Sequence, residues 1–203
     1  MGLRGFSALG TLVDRMAPGR RPQFAEAHMV KALKIIREEG PGRKHLASRL
    51  GLGEGVVRTL LGRLMDAGLV VTDRSGTGLT EAGQRLISEI TRTIPGMPVL
   101  VNDLTVAGCN YMVLIRGGAC RVRYGVEQRD AALIAGARGA TTLLFSGGEL
   151  HAPGLDRRVG PELIRDIMEL GPTEGDAIVL GSADTALGAE IGAYSAALTL
   201  LVP

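Results

Sequence analysis

Arginine and threonine side chains in one short segment have the residue types and the spacing to bind a polyanion. In GEGVVRTLLGRLMDAG, residues 53–68, the apolar residues recur at helical spacing and leave a second, outward face. Guanidinium groups donate paired hydrogen bonds to phosphate oxygens and to guanine edges, and a threonine hydroxyl can bond to either kind of group. We expect Arg58 and Thr59 to reach base edges or phosphates. The candidate contact residues on this face are Glu54, Val56, Arg58, Thr59 and Arg63.

Further arginines flank this segment. Arg43 opens the stretch RKHLASRL, and Arg63 lies near the end of the outward face, so we expect both to contact phosphates. Arg74 lies in LVVTDRSGTGLT, which reads as two short strands around residues 75–78. At the tip of such a hairpin Arg74 would follow a minor groove or the phosphate backbone.

The elements around these residues have the order of a winged helix-turn-helix. Helices are predicted over residues 24–40, 43–50 and 53–68, then the hairpin, then a helix over 81–94 capped by Thr80. Gly51 supplies the tight turn that fixes the angle of the helix entering the groove. A plain helical bundle with solvated arginines, or a winged helix that contacts only proteins, are the alternatives. Six apolar residues should pack this helix pair on the first helix: Leu46, Leu50, Val57, Leu60, Leu61 and Leu64.

Charge divides the 203-residue chain in two. Residues 1–95 carry 15 Lys and Arg against 9 Asp and Glu, whereas residues 96–203 carry 8 against 12. The net charges of +6 and −4 suggest two domains with different partners. PGMP, residues 95–98, is the predicted boundary, with a winged helix-turn-helix domain over 1–95 and a second domain over 99–203. A short helix is also predicted over residues 6–17.

The second half alternates strand and helix patterns. Strands are predicted over residues 110–117, 119–125, 141–146, 149–152 and 176–183, and helices over 126–139, 160–171 and 185–201. This order implies an α+β domain with a layer of helices on one sheet, and a ferredoxin-like split βαβ is the first expectation for its topology. The small residues of the last helix indicate either a core helix or a homodimer interface.

Two sites in this half could hold a small molecule. Gln128, Arg129 and Asp130 come together at the start of a predicted helix, where they form either a solvated ion pair or a site for an anionic metabolite. Gly147 and Gly148 form either a hairpin turn or a backbone cradle for an anion.

Other chemistry has little support in the sequence. The three histidines show no metal-binding spacing, although His151 with Glu149 would make half a site. Cys109 and Cys120 read as buried, reduced thiols. No catalytic constellation, cofactor site or metal site is predicted. The acidic and histidine residues that an enzyme reading would have to use are Asp103, Glu127, Asp130, Glu149 and His151.

Two motifs carry a resemblance to known families. GLTEAGQRLI, residues 78–87, resembles the junction between wing and helix in MarR- and PadR-like regulators, which implies DNA binding by residues 24–93. The segment QRDAALIAGARGATTL, residues 128–143, is similar to an archaeal winged-helix family whose C-terminal half is a domain of unknown function, DUF4443. The second resemblance implies a pairing of the two domains across nearly the whole chain, and no ligand.

These observations predict a cytoplasmic, non-enzymatic transcription regulator. The winged helix would bind duplex DNA in a homodimer, and the α+β domain would dimerise, sense a small-molecule effector, or do both. No apolar run is long enough to span a membrane, and no leader peptide is recognisable. The alternatives are an enzyme that uses the winged helix as a docking module, and a protein-interaction adaptor.

Overall fold

The computed structural model describes residues 23–154 and 158–201. The chain divides into two compact units between Ile90 and Thr91. The helix predicted over residues 6–17 lies outside the described residues. Within the described ranges, none of the helices is both long enough and apolar enough to cross a membrane.

The N-terminal unit has the predicted order of helices and hairpin. Gly40 and Gly51 end the first two helices with φ of +55° and +61°, the left-handed conformation that glycine adopts without strain. The elements are α1 (Glu26–Glu39), α2 (Arg43–Leu50), α3 (Glu54–Asp66), β1 (Val70–Thr72), β2 (Thr77–Leu79) and α4 (Glu81–Thr93), the last of which runs past the division.

The apolar core of this unit is the predicted one. All six residues expected to pack α2 and α3 on α1 are buried. Burying a leucine or valine side chain completely contributes about 1.5–3 kcal/mol, so this set is a large share of the unit's stability. Thr80 also caps α4 as predicted, because its Oγ1 accepts a hydrogen bond from the Gly83 amide at 3.1 Å.

His28, in the first turn of α1, gives this unit a pH dependence. The backbone amide of Ala25 donates to Nδ1 of His28 at 3.1 Å, and burial lowers the pKa of this histidine from its ordinary value of 6.5. The unfolded chain therefore binds more protons than the folded chain once the pH falls below about 6.5. The contribution of His28 is fully present above this pH and is lost as the medium becomes more acidic.

We expect the N-terminal unit to lose stability as the pH falls below about 6.5, and His28→Gln to reduce that loss. Glutamine at this position offers an amide oxygen to the same backbone N–H without titrating. Urea unfolding followed by circular dichroism at several pH values measures the effect. Equal pH slopes for the two proteins would contradict the assignment to His28.

The C-terminal unit is built on one five-stranded antiparallel sheet. Besides the 3₁₀ turn Ala119–Arg121, its eight elements are, in chain order, β3 (Gly96–Val99), β4 (Cys109–Ile115), α5 (Val126–Ile134), β5 (Gly139–Ser146), β6 (Glu149–His151), α6 (Pro161–Glu169), β7 (Ala177–Ala183) and α7 (Ala186–Leu198). The strand order in the sheet is β3-β4-β7-β5-β6. The α+β class and the two-part organisation agree with the prediction.

The topology corrects the ferredoxin-like expectation. The unit β4-α5-β5 is a split βαβ, because β4 and β5 both run antiparallel to the strand between them. In a ferredoxin-like sheet β6 would be that strand, but here β7 takes the position and β6 lies at the edge. All seven residues of β7 are buried, and a strand of this kind is stable only in the centre of a sheet.

A strand and a burial prediction in this unit are wrong. The strand expected over 119–125 is the 3₁₀ turn followed by irregular backbone. Cys120 is exposed and Cys109 is half-buried, so the two are not both core thiols. The segment 95–98, predicted as the domain boundary, contributes to β3, which pairs with β4 from Gly96 opposite Val113 to Val99 opposite Asn110.

Helices cover both faces of this sheet instead of one. On one face α7 lies directly on β7, where a Cβ at Gly181 would stand 2.6 Å from the Ala193 nitrogen. On the other face Leu163 and Ile167 of α6 pack into the apolar core formed by the central strands. Successive side chains of β7 point to opposite faces of the sheet, and all seven residues are buried. Each face of the sheet therefore needs a covering helix.

Candidate nucleic-acid interface

The outward face of α3 is open to solvent while its opposite face is buried. Gly55, Arg58, Thr59 and Gly62 follow the spacing i, i+3, i+4, i+7 and therefore share one side of the helix. Arg58 and Thr59 are exposed. A Cβ added at either glycine would meet no atom within 4 Å. The helix thus presents a nearly flat backbone surface beside an arginine and a threonine.

The structure leaves most of the predicted contact residues accessible. Arg43, Glu54, Arg58, Thr59 and Arg74 are exposed, and Val56 is half-buried. The hydroxyl of Thr59 donates to the Gly55 carbonyl at 3.2 Å, which leaves its oxygen lone pairs available as acceptors.

Arg63 differs from this group because it has a partner within the chain. Its guanidinium lies over the ring of Phe24, 5.2 Å from the centroid, and the residue is half-buried. A cation–π contact of this kind stabilises the fold by about 0.5–1 kcal/mol or more. The expected phosphate contact of Arg63 therefore competes with a structural role, and Arg58 is the better probe of the interface.

The first turn of α2 carries basic residues where a helix favours acidic ones. Gly42 provides no capping side chain, the first turn has no acidic residue, and Arg43 and Lys44 are both exposed there. These cations oppose the positive end of the helix dipole, and a bound phosphate would reverse that penalty. The sequence analysis missed Lys44, although two basic residues directly after Gly42 were a usable signal.

The hairpin tip is held by the loop between α1 and α2. The Thr77 amide donates to the Pro41 carbonyl at 3.1 Å, and a Cβ at Gly76 would stand 2.3 Å from the Gly40 oxygen. At the tip, the side chain and amide of Ser75 donate to Asp73 and lower the pKa of that carboxyl group. Arg74 projects from a turn that is fixed on both sides.

The predicted ligand group at α5 is divided by the fold. Gln128 is buried, and its amide nitrogen donates to the Thr199 hydroxyl at 2.8 Å. Arg129 and Asp130 are exposed. The three side chains therefore do not form one surface site, because successive positions on a helix point in different directions.

Gly147 and Gly148 form the hairpin turn between β5 and β6. Their φ values are +61° and +79°, as a two-residue turn of type I′ requires. The Gly147 amide donates to the Glu174 carboxylate at 2.8 Å, and the Ser146 hydroxyl donates to the same group at 2.9 Å. The Gly147 amide is thus occupied by a side chain of the same unit, and of the two alternatives given for these glycines the hairpin turn is the one observed.

The half metal site considered at His151 and Glu149 gains no further ligands within the part of the chain that the structure describes. His151 is exposed, with Nε2 3.3 Å from the Ser146 carbonyl oxygen. Across residues 23–154 and 158–201, no three His, Cys, Asp or Glu side chains are grouped so that they could hold a metal ion.

Two family models match the two units separately, and one solved structure matches most of the chain. Residues 106–200 match the domain of unknown function DUF4443, and residues 29–85 match the family described as PH0730-like, N-terminal domain. The solved structure of the hypothetical protein PH0730 from Pyrococcus horikoshii OT3 is 26% identical, with a TM-score of 0.69 over 88% of this chain and 93% of that chain. No curated protein matches the chain in sequence.

These matches confirm the predicted resemblance to DUF4443 for the C-terminal unit. The model for that domain covers about half the chain, and a different model describes the N-terminal unit. The resemblance to MarR- and PadR-like regulators stays a prediction.

Proposed function

We propose that this chain is a transcription regulator that binds duplex DNA. Its two halves match the PH0730-like N-terminal domain and the DUF4443 domain. The recognition element is α3, and the β1–β2 hairpin is the wing. The observation that carries the proposal is the exposure of Arg58 and Thr59 on a helix whose other face is buried after a glycine turn. A helix held in this way fits a major groove, which is about 12 Å wide.

The surface around α3 is suited to a closely approaching polyanion. Gly55 and Gly62 remove side-chain bulk on either side of Arg58 and Thr59. Within the chain this arrangement has a cost, because each glycine weakens the helix by up to about 1 kcal/mol relative to alanine. Close backbone approach to DNA is a physical reason to keep them.

Phosphate contacts would come from the two ends of the interface. Arg43 and Lys44 extend from the first turn of α2, and Arg74 extends from the anchored tip of the wing. Contacts of this kind fix the position of a protein on DNA, whereas Arg58 and Thr59 would provide the sequence preference.

The proposal includes a homodimer, a small-molecule effector and a cytoplasmic location. A single α3 offers few contacts, so two copies on two half-sites would supply the affinity. An effector bound to the C-terminal unit would change the spacing of the two recognition helices and thereby the affinity for DNA. The proposal assigns no catalytic step to the chain.

Fluorescence anisotropy with a labelled duplex of about 30 bp, long enough for two half-sites, tests the proposal. We expect binding that weakens steeply between about 50 and 200 mM salt. Sequences recovered from genomic fragments by the purified protein should bind more tightly than random duplex. On such a site Arg58→Ala should cost about 1–3 kcal/mol.

Arg92→Ala is the matched control, because Arg92 is an exposed arginine of α4 outside the proposed interface. Lys44→Ala should weaken all sequences alike and reduce the salt slope by about one. Absence of binding to any duplex at about 50 mM salt would contradict the proposal. Equal losses for Arg58→Ala and Arg92→Ala would place the contact elsewhere and favour the adaptor reading.

A further inference from the structure

The C-terminal unit has a cavity with apolar and charged lining between the β5–β6 hairpin and α6. Its volume is about 520 Å³, within the range of small-molecule sites. The DNA-binding proposal and the ligand group predicted at α5 do not use it, whereas Gly148, one of the two glycines considered as an anion cradle, is part of its lining. The apolar side chains that line it are Phe145, Leu150, Val159, Ile164 and Met168.

Helix α6 divides its apolar residues between two environments. Leu163 and Ile167 are buried in the core of the unit. The next residues along the helix, Ile164 and Met168, are 38% and 48% exposed and face the cavity. Large apolar side chains left exposed in a concavity lose contact with water when a ligand binds, which favours an apolar body.

Two opposite charges also line the cavity. Arg158 and Glu149 are both exposed, and neither side chain has an ion pair or hydrogen bond within the part of the chain that the structure describes. A guanidinium binds a carboxylate through paired hydrogen bonds, and a carboxylate binds an ammonium group. Together they suit a ligand that carries both charges.

We propose that this cavity binds a zwitterionic small molecule with an aliphatic body, either a free apolar amino acid or an apolar dipeptide. Arg158 binds the carboxylate, Glu149 binds the ammonium group, and the aliphatic body packs on Ile164 and Met168. The volume has room for the longer of the two ligands. This inference does not depend on DNA binding, so the two proposals can fail separately.

Isothermal titration of the full chain with L-leucine and with L-leucyl-L-leucine tests the proposal and distinguishes the two sources. Two truncated probes isolate the charges: 4-methylpentanoate lacks the ammonium group, and isopentylamine lacks the carboxylate. We expect each truncated probe to bind at least about tenfold more weakly than the zwitterion, as loss of one charge-assisted pair predicts.

Protein variants should reproduce the same pattern. Arg158→Gln should weaken binding of the zwitterion at least about tenfold and leave binding of isopentylamine unaffected. Glu149→Gln should also weaken binding of the zwitterion at least about tenfold, but leave binding of 4-methylpentanoate unaffected. Arg165→Gln and Glu162→Gln are matched controls, because both residues are exposed on α6 and neither lines the cavity. Circular dichroism of each variant verifies that it is folded.

Four outcomes would overturn the proposal. The first is that neither zwitterion binds at millimolar concentration. The second is that a truncated probe binds as tightly as its parent. The third is that the cavity variants behave like the α6 controls. The fourth is that Ile164→Lys abolishes self-association and leaves ligand binding unchanged, which would make this face a contact between two copies of the chain.

Discussion

Asp176→Ala is expected to lower the free energy of unfolding of the C-terminal unit by about 3–5 kcal/mol. The Asp176 carboxylate is buried and forms an ion pair of 3.0 Å with Arg116. It also accepts hydrogen bonds from the amides of Gly117 and Thr173 and from the Thr173 hydroxyl, at 2.8, 2.9 and 3.1 Å. Alanine would leave all these donors without their acceptor.

The loss extends beyond the carboxylate because Arg116 joins three elements. Its guanidinium donates to the carbonyl oxygens of Leu170 and Gly171, which follow the end of α6, at 2.9 and 2.6 Å. A cation at a helix C-terminus is favourable, and Asp176 holds this one in place. The pair thus connects the end of β4, the end of α6 and the start of β7.

Tyrosine fluorescence during urea unfolding measures the free energy of unfolding of the C-terminal unit. The chain has no Trp, and its three tyrosines, at positions 111, 124 and 194, all lie in the C-terminal unit. Asp184→Ala is the control, because Asp184 pairs with Arg138 at an exposed position and exposed pairs contribute little. Similar midpoints for Asp176→Ala and Asp184→Ala would show that the buried network does not stabilise the unit.

The N-terminal unit was predictable from local patterns, and the C-terminal sheet was not. Helical periodicity and the glycines after α1 and α2 are signals within a few residues of each other. Strand β3 lacked such a signal, because Pro95 and Pro98 are typical of a linker and an edge strand tolerates proline. The central place of β7 depends on pairing with β4 and β5, whose nearest paired residue, Leu144 opposite Ala177, is far away in the chain, and no local pattern specifies such pairing.

Among the candidate sites, too, features set by local sequence patterns were predictable and features set by contacts between distant residues were not. Exposure of Arg58 and Thr59 follows from the period of α3, so the sequence predicted it. The contact of Arg63 with Phe24, and the capture of the Gly147 amide by Glu174, join residues far apart in the chain. The cavity beside α6 likewise needs β6 and α6 to be adjacent, which only the tertiary structure provides.

Gly83→Ala is expected to destabilise the N-terminal unit by at least about 2 kcal/mol, even though alanine is the better helix former. A Cβ at Gly83 would stand 2.1 Å from the Leu69 carbonyl oxygen, which accepts a hydrogen bond from the Thr80 amide at 3.0 Å. The Thr80 hydroxyl donates to the neighbouring Gly68 carbonyl at 2.6 Å. The first turn of α4 therefore packs in direct contact with the backbone of residues 68–69, which precede β1.

Gly62→Ala makes the opposite prediction for the same chemical change. No atom lies within 4 Å of a Cβ there, so alanine should stabilise α3 by up to about 1 kcal/mol. Urea unfolding followed by circular dichroism at 222 nm compares the two variants. The Gly83 variant should also bind DNA more weakly when folded, because moving α4 shifts the wing that carries Arg74. Stabilisation by both variants would contradict the close contact between α4 and Leu69, since helix propensity alone would then explain both.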